Sequence, residues 1–290
     1  MATGYVLYNT KAGSNTTPES IKALQSSFYS QLEFIDVTQI EDYASFVSKL
    51  DAEDFIIIAG GDGTLNRFAN ETYDIDIKNE ILYFPNGTGN DFATDLGYTR
   101  ECKPFAVNEH LKNLPTVTVN GNDYHFINGV GYGIDGYCCE VGDKMKASGS
   151  TKVNYTAIAI KGLLFYFKPV KATITVDGKK YDYKNVWLVP TMNGRYYGGG
   201  MIPTPAQSRA NQDGILSTLV FRGASKIKTL MIFPSIFKGE HIKHEKAVTI
   251  LTGHEITVEF DRPCALQIDG ETILNVTSYT ATSNKLATVK

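Results

Sequence analysis

The stretch Ile56–Asn70, "IIIAGGDGTLNRFAN", decides the fold. Its unbroken apolar run reads as a strand buried on both faces, the signature of a parallel sheet covered by helices. The run passes into three glycines around Asp62 and then into a helical pattern. Glycines at Gly60, Gly61 and Gly63 let the backbone approach a ligand closely, so that several amide N–H groups, on to Thr64, point at a phosphate. The helix amino terminus that follows adds its positive dipole end. Asp62 would repel such an anion unless a divalent cation mediates the contact, or the carboxylate meets an acceptor hydroxyl or another non-phosphate group. That points to phosphoryl transfer with Mg2+. Read alone, "GGDG" is equally a tight turn with Asp62 capping the next helix.

Working outward, the first half alternates short apolar runs with helical patterns, as strand–helix units of an open α/β sheet do. "YVLYN" (5–9), "FIDV" (34–37) and "DFIIIAG" (54–60) read as strands. Residues 18–32 and 40–50 read as helices, the first capped by Thr17 with Pro18 in its first turn. "EILYFPNGTGNDFATDLGYT" repeats the plan of strand, glycine-rich turn and short helix. Its loop offers Thr88, Gly89, Asn90 and Asp91. Two such loops at successive strand ends line one crevice in sheets of this kind, although Asn90 and Asp91 also suit a simple cap and turn.

From about Pro115 the pattern becomes alternating and β-rich, with Asn-Gly and Asp-Gly turn signals. This predicts an antiparallel β-sandwich domain over 119–279, interrupted by two helices near 154–167 and 226–237. The α/β domain would span 1–118, completed by about 280–290.

A net charge of −3 argues against nucleic-acid binding. Cys102, Cys138, Cys139 and Cys264 have no CxxC spacing and read as reduced thiols of a cytoplasmic protein. No run approaches the length of a membrane span, and the amino terminus lacks a standard secretion signal.

"GGDGTLN" with "PNGTGNDFA" resembles the diacylglycerol kinase catalytic-domain family, which includes bacterial lipid kinases and sphingosine kinases and is more distantly related to NAD kinases. "FINGVGYGID" (126–135), "YYGGGMIPTPAQSRANQDGIL" (196–216), "KGEHIKHEKAV" (238–248) and "QIDGE" (267–271) extend the resemblance in order. It implies an ATP- and Mg2+-dependent lipid kinase with its nucleotide between the two domains. The phosphates would lie on Gly60–Thr64 and Asn66, with Asn9, Gly13, Thr38, Thr88, Gly89, Asn90 and Asp91 also serving the nucleotide.

"QIDGE" would supply the base that removes the acceptor hydroxyl proton, Asp269 first and Glu271 second. On its own it reads as a hairpin turn. "RANQDGI" resembles a structural Mg2+ site built from the Asp213 carboxylate and the carbonyls of Ala210 and Ile215, oxygen ligands that suit a hard cation. His241 and His244 lack a third zinc ligand.

Two positions depart from the family pattern. Arg67 stands where relatives often carry glutamate. Near the domain crossover, Thr116 and Thr118 flank a place that is often aspartate, with no acid until Asp123. These motivate a catalytically weak nucleotide- or lipid-binding protein as one alternative; an NAD kinase-like enzyme is another. The acceptor would be diacylglycerol or a related lipid reached by peripheral membrane contact. Lys11, Arg100, Lys144, Lys146, Lys152 and Lys161 are candidates for attraction to anionic headgroups. The resemblance is also compatible with a homodimer.

Overall fold

The computed structural model describes residues 2–10, 21, 23–150, 153–223 and 225–285. The expected cap Thr17 and residues 18–20 and 22 of the first predicted helix lie outside these. The described part of that span holds helical Ile21 and a 3-10 turn, Ala23–Ser27, and Gln31 and Leu32 already belong to the next strand.

The chain divides into two compact units, Met1–Asn113 and Leu114–Lys290. The first contains β1 (Thr3–Tyr8), β2 (Gln31–Asp36), β3 (Phe55–Gly60), β4 (Glu80–Pro85) and the short β5 (Phe105–Ala106), ordered β2-β1-β3-β4-β5. The first four are parallel and β5 is antiparallel to β4. Ile56, Ile57 and Ile58 of the central β3 are fully buried, because helices and loops cover both sheet faces. Helices follow β3 (Asp62–Glu71) and β4 (Asp91–Asp95), so both glycine-rich turns sit at the carboxyl ends of adjacent strands.

In the second unit the strands are β6 (Thr116–Val119), β7 (Asn122–His125), β8 (Gly129–Tyr132), β9 (Val170–Val176), β10 (Lys179–Leu188), β11 (Thr191–Met192), β12 (Leu216–Arg222), β13 (Val248–Gly253), β14 (Glu255–Ile268) and β15 (Glu271–Thr282). All described pairings are antiparallel. β14 is long enough to serve two neighbours: its first half pairs with β9 through Ile256–Phe260, and its last residues pair with β8 through Leu266–Ile268. With β11, β12 and β10 this closes a ring of strands. Its filling is branched and aromatic: Val130, Ile174, Val258 and Leu266 are buried, and Tyr132 stacks on Phe260 at 3.8 Å. A second core, around Leu163, Trp187, Leu219 and Ile232, holds the helices against the sheet.

Thr116–Val119, expected to end the first domain, pairs with Tyr279–Thr282 of β15 and so belongs to the second sheet. Residues 280–285, expected to complete the first domain, also lie in the second unit, where the Asn284 amide donates to the Leu114 carbonyl. Residues 286–290 are outside the description.

Both predicted helices appear, at Tyr155–Lys161 and Lys226–Ile232, each continued by a tighter or wider turn. A third, Ile134–Ala147, was not expected. Gly136, Gly142 and two cysteines give it a weak intrinsic propensity. Packing overrides this: a side chain at Gly136 would run into the Ala265 carbonyl, so glycine lets the helix lie directly on β14.

Candidate functional site

The two glycine-rich turns of the first unit form one packed assembly. A Cβ on Gly61 would lie 3.1 Å from the Gly87 Cα, and the Asn86 amide donates to the Gly60 carbonyl at 2.9 Å. Such glycine-on-glycine contact requires bare backbone on both sides. Asp62 completes the link. Its carboxylate accepts the Asp91 amide at 2.9 Å and the Phe92 amide at 2.8 Å, so it caps the helix of the neighbouring loop rather than its own.

The helix Asp62–Glu71 has no side-chain cap at Gly61, and a Cβ on Gly63 would meet nothing within 4 Å. A ten-residue helix with an uncapped start and open space before it fits an anionic group. The Asp91–Asp95 amino terminus differs, because Asp62 already occupies two of its amides.

Thr64, Asn66, Asn90 and Asp91 are buried, whereas Thr88 and Gly89 are exposed. Asn90 adopts a left-handed conformation (φ 54°). Its side chain accepts from the Gly87 amide at 2.9 Å and donates to the Gly87 carbonyl at 3.1 Å, holding the loop to itself. Arg67 points to solvent and faces Glu71 one turn on, at 4.0 Å, so the charge reversal does not enter the glycine loop.

Asn9 is half-buried directly after β1, and Thr38 is exposed after β2. Gly13 is outside the described residues. The sequence reading missed Asp36, whose carboxylate accepts from the Thr10 hydroxyl at 2.5 Å and the Thr38 amide at 3.0 Å, tying the ends of β1 and β2 together. Burial opposes its ionisation, but the bonds from Thr10 and Thr38 prevail and hold its carboxyl below the usual range. The signal was present as Asp-x-Thr, an Asx-turn pattern at a strand end.

In the second unit, Asp269 and Gly270 form the tight turn between β14 and β15, with φ of 45° and 98°. The Asp269 carboxylate accepts from the amides of Ile127 (2.5 Å), Asn128 (2.9 Å) and Gly129 (2.9 Å). The "FINGVG" and "QIDGE" motifs are therefore one local structure. Three amide donors hold the Asp269 carboxylate in place, which makes it an anchor of this loop. Glu271, two residues on, is exposed.

Asp135 was quoted within a motif but given no role. Burial pushes its carboxyl up to about 6, against a hydrogen bond from Gln267 Nε2 at 2.8 Å. The acid in Asp123, absent at the crossover, lies across the β6–β7 hairpin and accepts from the Thr118 hydroxyl at 2.6 Å.

The expected structural Mg2+ site does not fit its residues. The Ile215 carbonyl already accepts from Gln207 Nε2 (2.9 Å) and Asn211 Nδ2 (2.8 Å), filling both lone pairs. The Lys285 ammonium lies against the flanking carbonyls of Arg209 (2.5 Å) and Asn211 (2.9 Å), bringing a positive charge to the loop that the ion would serve. His254 Nε2 lies 2.9 Å from the Asp213 carbonyl. Among the described residues no cluster of three or more His, Cys, Asp or Glu side chains could hold a metal. His241 Nε2 sits 2.8 Å from the Pro203 carbonyl, and burial lowers its pKa.

An open, mostly parallel sheet with paired glycine loops at adjacent strand ends, followed by an antiparallel β unit, defines a two-unit α/β-plus-β architecture with ligand-binding loops at its strand ends. Residues 3–119 match the diacylglycerol kinase catalytic domain, and residues 128–285 match the YegS C-terminal NAD kinase beta sandwich-like domain. A diacylglycerol kinase of Bacillus subtilis is 28% identical over 225 residues, covering 75% of this chain and 71% of the relative. A Staphylococcus epidermidis protein named "Putative lipid kinase SERP0390" is 30% identical over 240 residues, covering 80% and 72%. A Bacillus anthracis crystal structure titled as "a putative diacylglycerol kinase" shares the fold, with a TM-score of 0.65 at 22% identity over 98% of this chain and 95% of that one. The chain belongs to the diacylglycerol kinase family of lipid kinases.

Proposed function

We propose that this chain transfers the γ-phosphoryl group of Mg-ATP to the hydroxyl of diacylglycerol or a related lipid, giving phosphatidate or an analogous lipid phosphate. The observation that carries this reading is the uncapped start of the Asp62–Glu71 helix beside the packed Gly61–Gly87 contact. The first amides of this helix, Asp62 and Gly63, hold the transferring phosphates, because those of Thr64 and Leu65 donate to the Gly61 carbonyl, and Gly63 leaves the phosphates room. Asn9 and Thr38, set by Asp36, flank the nucleotide. When bound, Mg2+ would neutralise the charge developing on phosphoryl oxygens, and the Asp62 carboxylate is the acid of this loop that would face it.

On the second unit Glu271 takes the acceptor proton, while Asp269 positions the loop through its three amides. Peripheral contact with a membrane delivers the acceptor.

Purified protein incubated with labelled ATP and Mg2+, with diacylglycerol micelles or with NAD, tests the reading. Labelled phosphatidate is expected; a labelled dinucleotide, or binding without turnover, would overturn it. Glu271→Gln should lower kcat about a hundredfold or more with little change in KM for ATP. Asp269→Asn should lower activity together with thermal stability. Undiminished turnover in Glu271→Gln would sink that assignment.

A further inference from the structure

Gln267 lies near the end of β14, two residues before Asp269, and is 3% exposed. Its side-chain amide is engaged at both ends. Nε2 donates to Asp135 Oδ2 at 2.8 Å, and Oε1 accepts the Gly270 amide at 2.6 Å. A Cβ on Gly131 would strike both the Asp135 carboxylate and the Gln267 amide, so bare backbone on β8 lets these two polar groups meet there.

The turn that Gln267 reaches leads directly into Glu271. Asp269 and Gly270 both have positive φ, and Ile268 pairs with Glu271 across them, which is a two-residue hairpin. The amides of its two central residues lie outside the strand ladder, and here both are taken. That of Asp269 donates to the Gly129 carbonyl at 3.1 Å, and that of Gly270 to Gln267. On the other side of Glu271, the Thr272 hydroxyl donates to Asp143 Oδ2 at 2.7 Å. Gln267 and Thr272 are cross-strand partners, and both of their acceptors belong to the Ile134–Ala147 helix. The exposed Glu271 side chain therefore stands on backbone fixed immediately before and after it.

A glutamine amide can face either way, and only one way suits Gly270, whose N–H needs an oxygen. An ionised carboxylate accepts and never donates, so Asp135 dictates that Nε2 turns to it and Oε1 to the turn. Although burial raises the Asp135 carboxyl to about 6, it is ionised at neutral pH.

We infer that Gln267 is a positioning residue for phosphoryl transfer: oriented by Asp135, it fixes the Asp269–Gly270 turn so that Glu271 meets the acceptor hydroxyl, with Thr272 and Asp143 as a second tether. In that step the acceptor oxygen bonds the γ-phosphorus while Glu271 takes its proton, and the bond to the bridging oxygen breaks with ADP as leaving group. A base must come within hydrogen-bond reach of the proton it takes, and a misplacement of about 1 Å costs on the order of a hundredfold in rate. The inference rests on the lipid-kinase reading and on Glu271 as its base, and adds what holds that base in place.

Gln267→Met keeps the side chain's length and removes both bonds. Initial rates with Mg-ATP and short-chain diacylglycerol in detergent micelles are measured beside thermal unfolding and hydrogen exchange of the Gly270 amide. kcat per folded molecule should fall roughly tenfold to a hundredfold, with KM for ATP and for diacylglycerol within about twofold of the parent, and the Gly270 amide should exchange faster. Asp135→Asn still offers Gln267 an oxygen and should keep kcat within about threefold, whereas Asp135→Leu offers none and should resemble Gln267→Met. Thr272→Val, at the more exposed tether, should fold like the parent and lower kcat by a smaller factor. A clamp that serves folding alone would lower thermal midpoints and leave kcat per folded molecule unchanged. Parental kcat in Gln267→Met with a fast-exchanging Gly270 amide overturns the inference, as does a Gly270 amide that stays protected. Should Gln267→Met fail to fold, parental kcat in both Thr272→Val and Asp135→Leu overturns it instead. The kinase reading fails separately, if the unsubstituted protein makes no labelled phosphatidate, and the base assignment fails if Glu271→Gln turns over fully.

Discussion

Asp62→Ala removes the carboxylate that accepts the Asp91 and Phe92 amides. Asp91 and Phe92 are 4% and 0% exposed, so their amides have little access to replacement water. An orphaned buried donor costs about 1–3 kcal/mol, and a capping acid is worth about 1 kcal/mol in its own right. Because Asp62 is itself only half-buried, the pair should contribute about 2–4 kcal/mol. Spread over a unit of this size, that lowers its thermal midpoint by roughly 10 °C. Asp62→Asn keeps one acceptor and turns an N–H toward the other amide, so it should recover no more than about half of the loss. The assay is thermal unfolding combined with amide hydrogen exchange, reading residues 91 and 92. Both amides should be protected in the parent chain and exchange quickly in Asp62→Ala, while the amides of β1 stay slow. If Asp62→Ala abolishes turnover yet leaves the midpoint and both amides unchanged, then Asp62 serves only ligand or metal and the capping account is wrong.

Other perturbations probe the remaining parts. Gly63→Ala adds a methyl group where nothing lies within 4 Å; stability should hold or rise by about 0.5–1 kcal/mol while ATP affinity falls, and unchanged ATP affinity would argue against phosphate at this helix start. Asp135 carries a carboxyl raised from 3.8 to about 6 by burial, worth about 3 kcal/mol at 1.36 kcal/mol per pH unit. Between those values the folded chain keeps a proton that the unfolded chain has released, so stability falls as pH rises through that window and stays lowered above it. Asp135→Asn should therefore gain on the parent in urea unfolding at neutral pH, with the gain vanishing towards pH 4; a pH-independent difference would refute this. Without nucleotide, Mg2+ should not raise the thermal midpoint, whereas Lys285→Met should lower it by the loss of about 1.5–3 kcal/mol. A saturable Mg2+ stabilisation of the parent chain that Asp213→Asn abolishes would restore the metal to that loop.

The strand–turn–helix repeat around Ile56–Asn70 was legible because a both-faces-buried strand and a glycine loop leave local signatures. Ile134–Ala147 was not, since its glycines lower helix propensity and their reason, contact with the Ala265 carbonyl, lies about 130 residues away in sequence. The site divides the same way. Which loops matter could be read from residue types. What each acid does could not, because Asp62 acts on amides in the next loop and Asp269 on amides 140–142 residues distant. Spacing along the chain carries no record of such partners. The expected Mg2+ loop is a related case: the sequence shows Asp213-Gly214 but not that Lys285 returns to the carbonyls beside it.

Asp62 and Asp269 belong to one design. Each is an acid beside glycine in a loop, and each gathers backbone amides from a second loop, two in the first unit and three in the second. An isolated carboxylate in either place would oppose a phosphate or a hydroxyl about to lose its proton. With amide dipoles directed at it, much of its charge is met locally and the field it projects onto a ligand is reduced. The acid in the anion-binding loop is thus part of how one helix start is selected. Asp62 occupies amides at the head of the Asp91–Asp95 helix and leaves the head of its own helix without a cap. An anion arriving at these two adjacent strand ends is offered the longer helix and its dipole, and the shorter one is already taken.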